Sequence, residues 1–150
     1  MGCVLHFIGD DFDVHGLEVL CPIEPCKVWR KGAPRSSRPN ARVCTTSGLS
    51  LVVSDAEFEC FEEQQSDAIK FLKGHQTTLQ QMLSHPGVSS SVIDFGIAMR
   101  NVIAQTDELS ADLVACIGGL GLKLAISQYP VAQKFKRIKQ YRRAFRKCAW

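Results

Sequence analysis

The sequence predicts an α+β protein: a mostly antiparallel sheet of about five to six strands with helices packed on one face, followed by a basic C-terminal helix. Three observations predict it. Several short segments alternate apolar and polar residues and present one clean apolar face, the pattern of strands covered on one side only. Between them lie stretches that open with helix-capping residues and carry an apolar stripe at helical spacing. The chain has 150 residues, 45% hydrophobic and 22% charged, which suits one domain of about 100–150 residues with a core of its own. The organisation expected is a single domain over residues 1–130 and a basic amphipathic helix over 131–150.

The elements follow in order. Residues 3–8 alternate, with Cys3, Leu5 and Phe7 on one face, and read as a first strand. Gly9-Asp10-Asp11-Phe12-Asp13 is a turn, and Asp13 is placed to cap a short helix bearing Leu17 and Leu20 that Pro22 and Pro25 end. Lys27-Val28-Trp29-Arg30 reads as a short strand, and residues 31–41 as a polar basic loop and the best candidate for mobility. Two strands are expected around 42–46 and 49–53, joined by a tight turn in which Gly48 supplies positive φ. Ser54-Asp-Ala-Glu57 has the form of a capping box, with Val53 and Phe58 as its staple and Phe58, Phe61, Ala68, Ile69 and Leu72 as the apolar face. Gly74 fits the stop of that helix. A second box, Thr78-Leu-Gln-Gln81, predicts a short helix closed by His85-Pro86-Gly87.

Residues 92–100 alternate again, with Ile93, Phe95, Ile97 and Met99 expected inward. Ser110 is placed to cap a further helix with Leu113 and Ile117 buried, Leu109 and Val114 as staple, and Gly118-Gly119 as its stop. The last strand, 122–128, puts Leu122, Leu124 and Ile126 on one face, and Pro130 ends the body. No internal repeat is visible.

Charge is segregated along the chain. Residues 1–26 hold five acids and no Lys or Arg, and residues 27–42 hold six bases and no acid. Residues 1–130 together carry ten bases against fifteen acids, a net −5, whereas the last twenty residues carry eight bases and no acid. The overall +3 is therefore a property of the tail. The tail has one apolar stripe, Val131, Phe135, Ile138, Tyr141, Phe145 and Cys148, surrounded by Lys and Arg. Such a helix packs on the body, docks on a partner, grips nucleic-acid phosphates or lies on an anionic membrane, and the pattern alone leaves these open.

Seven cysteines, an odd number with no C-x-x-C pair, argue against a disulfide framework and point to a reducing, cytoplasmic setting. Cys21 and Cys26 are close enough in sequence to pair, but two reduced loop thiols are the simpler reading. Met1-Gly2-Cys3 lacks the Ser or Thr that a myristoylation signal wants, since His6 stands there, and Cys148 is third from the end, which excludes prenylation. No apolar run approaches the roughly 18 residues of a membrane span.

Several short motifs recur in a fixed order: Phe7-Ile-Gly-Asp-Asp-Phe-Asp13, Leu20-Cys-Pro22, Trp29-Arg-Lys-Gly32, the helix pair 55–84, and Leu109-Ser-Ala-Asp-Leu113 followed by the strand to Tyr129. Together they resemble a bacterial family known as a domain of unknown function, number 4279, over about residues 3–130. The resemblance implies a small bacterial α+β protein and supplies no activity or catalytic residue. It also associates the chain with small proteins that act as partners or antidotes of larger toxins.

No nucleophile elbow, H-E-x-x-H, P-loop or dinucleotide fingerprint is present. Gly118-Gly-Leu-Gly121 follows a helix and precedes a strand, the reverse of a phosphate loop. Asp10, Asp11, Asp13 and His15 could supply metal ligands, yet a turn and a helix cap account for the aspartates. His6, on a strand, reads as a packed or edge histidine.

The expected function is a non-enzymatic cytoplasmic protein-interaction module, of a toxin-neutralising or regulatory kind. Its partner surface is expected at Asp10, Asp11, Asp13, Trp29 and Lys31, and at Lys134, Arg137, Arg142, Arg143 and Arg146 of the tail. Trp29 is equally a core candidate. The alternatives are a nucleic-acid-associated protein acting through the 27–42 loop and the tail, and a metal-dependent enzyme built on the aspartate turn. No catalytic residue, resident metal or cofactor is assigned, and the partner expected is a protein rather than a membrane.

Overall fold

The computed structural model describes residues 2–130, and the tail with its Lys134, Arg137, Arg142, Arg143 and Arg146 lies outside the described residues. The elements are β1 (Cys3–Gly9), α1 (Val14–Val19), β2 (Lys27–Trp29), β3 (Ser47–Ser54), α2 (Phe61–Gly74), α3 (Gln76–Leu83), β4 (Ser90–Met99), α4 (Ala111–Leu120) and β5 (Lys123–Pro130). The five strands form one mixed sheet in the order β2-β3-β1-β4-β5. All neighbours are antiparallel except β4 and β5, which run parallel through the α4 crossover. The α+β reading therefore stands, and the sheet is mostly antiparallel.

Strand alternation decides which side the helices take. Leu5 faces Leu51 on one side and Ile93 on the other, Phe7 faces Leu49, and Cys3 faces Phe95. These residues form one apolar layer with Leu17 of α1, Ala68 and Leu72 of α2, Leu79 and Met82 of α3, and Leu113 and Ile117 of α4. Each large side chain so buried contributes about 1.5–3 kcal/mol. The intervening residues Val4, His6 and Ile8 point to the other face and stay half-exposed.

Two element ends match their sequence signals. Asp13 caps α1, its carboxylate accepting from the His15 amide at 3.1 Å, and Ser110 caps α4, accepting from the Leu113 amide at 3.3 Å. The stop of α4 lies two residues beyond the expected Gly118-Gly119. Gly121 adopts φ 67°, its amide donates to the Gly118 carbonyl, and the Leu122 amide donates to Ile117. That is a Schellman motif, and the buried Ile117 and Leu122 supply its apolar contact.

Other expectations are corrected. Of the expected hairpin only the second strand forms, as β3; residues 42–46 belong to the returning loop, and Gly48 lies inside β3 at ordinary φ, paired with Ile8. Glycine is required there for room, because a Cβ would overlap the Phe7 carbonyl and the Trp29 ring. The first helix of the pair begins at Phe61, not at 55, and has no side-chain cap. Ser54 stays in the ladder: its carbonyl accepts from Gly2, while its hydroxyl accepts from the Ala56 amide and donates to Asp67 at 2.8 Å. Phe58 consequently leaves the helix face and stacks on Tyr129 at 4.6 Å, above Gly96. The Thr78 box does not form either, since α3 starts at Gln76 directly after the His75 turn. Gly74 is the last residue of α2 at helical φ.

At the β5 edge the inward pattern runs out. Met99, Leu124, Ile126 and the staple residue Val114 are exposed. The 31–41 loop folds back on itself through Gly32 to Cys44, Cys44 to Ala33 and Arg35 to Arg42 amide–carbonyl bonds, with a Pro34–Val43 bridge. Among the described residues no helix is long and apolar enough to cross a membrane.

Candidate functional site

The residues singled out by sequence divide into two places. At the β1–α1 turn, the Lys31 ammonium donates to both Asp10 carboxylate oxygens at 2.9 and 2.8 Å, which raises its pKa. The Lys31 amide also donates to the Ser47 hydroxyl at 3.0 Å, fixing the start of the basic loop. Asp13 is engaged in the α1 cap and Asp11 stands exposed beside it. The three aspartates do not converge, and among the described residues no three His, Cys, Asp or Glu side chains are grouped to hold a metal ion.

The second place is a cleft of about 280 Å³ on the open face of the sheet. Its floor is a cross-strand row: Lys27 of β2 pairs with Ser50 of β3, and Ser50 with His6 of β1. Its side wall is Trp29, one register step along, and its roof is the return of the basic loop, with Arg35, Cys44, Thr45 and Thr46. The strands place Lys27, Trp29, Ser50 and His6 together because alternate residues of neighbouring strands share a face.

Polar geometry within the cleft is specific. His6 Nδ1 and Ser50 Oγ are 2.7 Å apart, with Ser50 almost fully buried. Trp29 Nε1 donates towards Thr46 Oγ1 at 3.5 Å, and the Lys27 ammonium lies 5.7 Å from the centre of the Trp29 ring. Burial holds the His6 imidazole below its ordinary pKa, with the Asp94 carboxylate opposing and the Lys27 ammonium assisting. His6 is therefore neutral at neutral pH and shares one hydrogen bond with the serine. A serine beside an imidazole is half of a nucleophilic pair, but among the described residues no third group bonds the other ring nitrogen to orient it.

Among the described residues, Trp29 is the expected partner residue that lines this cleft. The sequence reads His6 as a packed or edge histidine, shows Lys27 and Arg35 only as two of six bases in a run, and does not single out Ser50, Thr45 and Thr46. The signal that could have found His6 and Ser50 is strand alternation on the polar side: His6 interrupts the apolar run of β1, and Ser50 lies between Leu49 and Leu51 in the middle of β3.

Elsewhere, polar side chains act as struts. Gln65 bridges α2 to the start of α4, donating to the Glu108 carbonyl and accepting from the Ser110 amide. Arg100 ties the loop after β4 by donating to Asp107 at 2.7 Å. Cys21 and Cys26 are free thiols, each donating to a backbone carbonyl, of Leu17 and Ser50 respectively.

No curated protein and no solved structure matches the chain. A family model does, over residues 1–131, so the order of short motifs along the strands and helices marks a member of the family described as Domain of unknown function (DUF4279), to which this chain belongs.

Proposed function

We propose that the protein is a non-enzymatic interaction module that binds an acidic protein surface through the cationic lobe at the β2 edge of its sheet. One observation carries this reading. Of the six bases in residues 27–42, only Lys31 has an ion-pair partner among the described residues. Lys27 on β2 and Arg30, Arg35, Arg38 and Arg42 on the loop that follows present charge to solvent, the loop held in place by its own backbone bonds. A cationic lobe on a body of net −5 gives the molecule a polarity that orients encounter with a partner.

The alternative, a nucleic acid, uses the same bases but is less well supported. Trp29 is the one aromatic residue of 27–42 and it rests against Gly48 and Thr46, so the lobe offers a single platform rather than a row on which successive unpaired bases stack. The acidic remainder of the body also repels a long polyanion. A toxin-neutralising or regulatory role in the cytoplasm is the biological form this reading takes.

The test is a capture experiment from host lysate with the full chain and with Arg30→Glu, Arg38→Glu and Arg42→Glu combined. A stoichiometric acidic protein, retained after nuclease treatment and lost with the triple variant, supports the reading. Capture that nuclease abolishes favours the nucleic-acid alternative. A partner held equally by the variant overturns the role of the lobe.

A further inference from the structure

We propose that the cleft between Trp29 and the returning basic loop is a binding site for a phosphate monoester. The site stands on its own observations, since none of Arg30, Arg38 and Arg42 lines it.

The donor set matches that ligand. Lys27 and Arg35 bring two permanent cations to the lining, and Thr45, Thr46 and Ser50 bring hydroxyls. No Asp or Glu is among the lining residues, so nothing within the cleft competes for those charges. Neither cation has an ion-pair partner among the described residues. A phosphate monoester carries about −1.5 to −2 charge near neutral pH and three acceptor oxygens, which two cations and adjacent hydroxyls satisfy. A carboxylate carries one charge and leaves one of the two cations unmatched. Because the Trp29 indole points its N–H at Thr46 Oγ1, the Thr46 hydroxyl hydrogen is free to donate inward.

Size narrows the class. At about 280 Å³ the cleft is just below the roughly 300–1,000 Å³ of sites that enclose a drug-sized ligand. It therefore takes the phosphate and a short stem, with the Trp29 ring as an apolar wall for that stem. Gly48 keeps this wall in place, since a side chain there would push the indole off the strand. Two sources share this chemistry: a phosphorylated side chain on a protein, and a free small phosphate ester.

The experiment titrates the full chain carrying Trp150→Phe, so that Trp29 is the only indole reporter. The probes are inorganic phosphate, phosphoserine, a short phosphoserine peptide, its unphosphorylated form, and acetate. A saturable change in Trp29 emission is expected with the phosphate probes, with at least a tenfold loss of affinity in Lys27→Ala, Arg35→Ala. In parallel, the Trp29 indole N–H and the His6 imidazole resonances of the wild-type side chains should shift with phosphate, a readout that needs no site variant. A peptide tighter than free phosphoserine assigns the ligand to a protein, and the reverse order to a small ester; both support the site. Acetate binding as tightly as phosphate, unshifted Trp29 and His6 resonances, or equal affinity in the double variant overturns it. With Arg30→Gln, Arg38→Gln and Arg42→Gln, which remove charge without reversing it, the titration should stay saturable and keep its tenfold dependence on Lys27 and Arg35, which separates the two proposals.

Discussion

The two faces of the sheet are written in the same strands, one residue out of step, and they are given over to different work. On the helix side, Cys3, Leu5 and Phe7 of β1 are completely buried among apolar neighbours from all four helices. On the other side, Val4, His6 and Ile8 are half-exposed, and the polar residues of neighbouring strands gather beside them. The helix face holds the fold together. On the open face a polar side chain carries little of the fold's stability, and the proposed phosphate cleft lies there.

The sharpest way to break that contrast is to truncate adjacent residues of β1. Phe7→Ala should cost about 3–5 kcal/mol, as aromatic deletions in packed cores do. His6→Gln, one residue away, should cost about 1 kcal/mol, the scale of a single hydrogen bond. Chemical denaturation of both variants measures the difference, and equal losses would mean that the open face is also structural.

A smaller effect is expected where the faces meet the backbone. Gly48→Ala places a methyl against the Phe7 carbonyl and the Trp29 ring, and should cost about 1–3 kcal/mol by overpacking. The loss should be accompanied by a change in Trp29 emission, because the indole must move. Unaltered emission with full stability would show that the ring does not rest on the strand.

Thiol labelling reads the same contrast without mutation. Among the described cysteines, Cys26 and Cys60 are exposed and should react first with a thiol reagent under native conditions, as resolved by peptide mapping. Burial raises the Cys21 thiol to about 11, and raises Cys3 on the core face further still. Cys21 should therefore lag, and Cys3 should react only on unfolding. Modification of Cys3 at the rate of Cys26 would place β1 outside the core.

The smallest effect is that of pH. The His6 pKa lies below its unfolded value of about 6.5. As pH falls below about 6.5 the unfolded chain takes up a proton there that the folded chain does not, so His6 contributes a loss of stability on acidification. Comparing wild type with His6→Gln across that range isolates the term, and the variant should show the shallower decline.

How much of this was legible follows from range. The first strand, the Asp13 and Ser110 caps, and the alternation of β4 as far as Ile97 are local patterns, and each formed as the residues suggested. The capping box at Ser54 failed because a distant partner competes for that residue: Gly2 and Cys3 hold it in the ladder and Asp67 takes its hydroxyl. Leu124 and Ile126 share a face as their alternation suggests, yet both are exposed on β5, the outermost strand beside β4. The cleft was hidden for the same reason as the failed cap. His6, Lys27, Trp29, Arg35, Thr46 and Ser50 are scattered over the first third of the chain, and only the pairing of three strands brings them together.

The place of β1 in the sheet has a further consequence, for the order in which the chain can assemble. The first of the five strands in chain order ends as the middle strand, with Cys3 paired to Ser54 on one side and to Phe95 on the other. Both ladders join residues far apart in sequence, the arrangement that slows folding in proteins of high contact order. Until β4 has emerged, Cys3, Leu5 and Phe7 belong to a strand with an open edge, the element most prone to pair with another chain. A nascent chain of this protein therefore stays exposed to misassembly until β4 has been made, and chaperone dependence should fall off after that point.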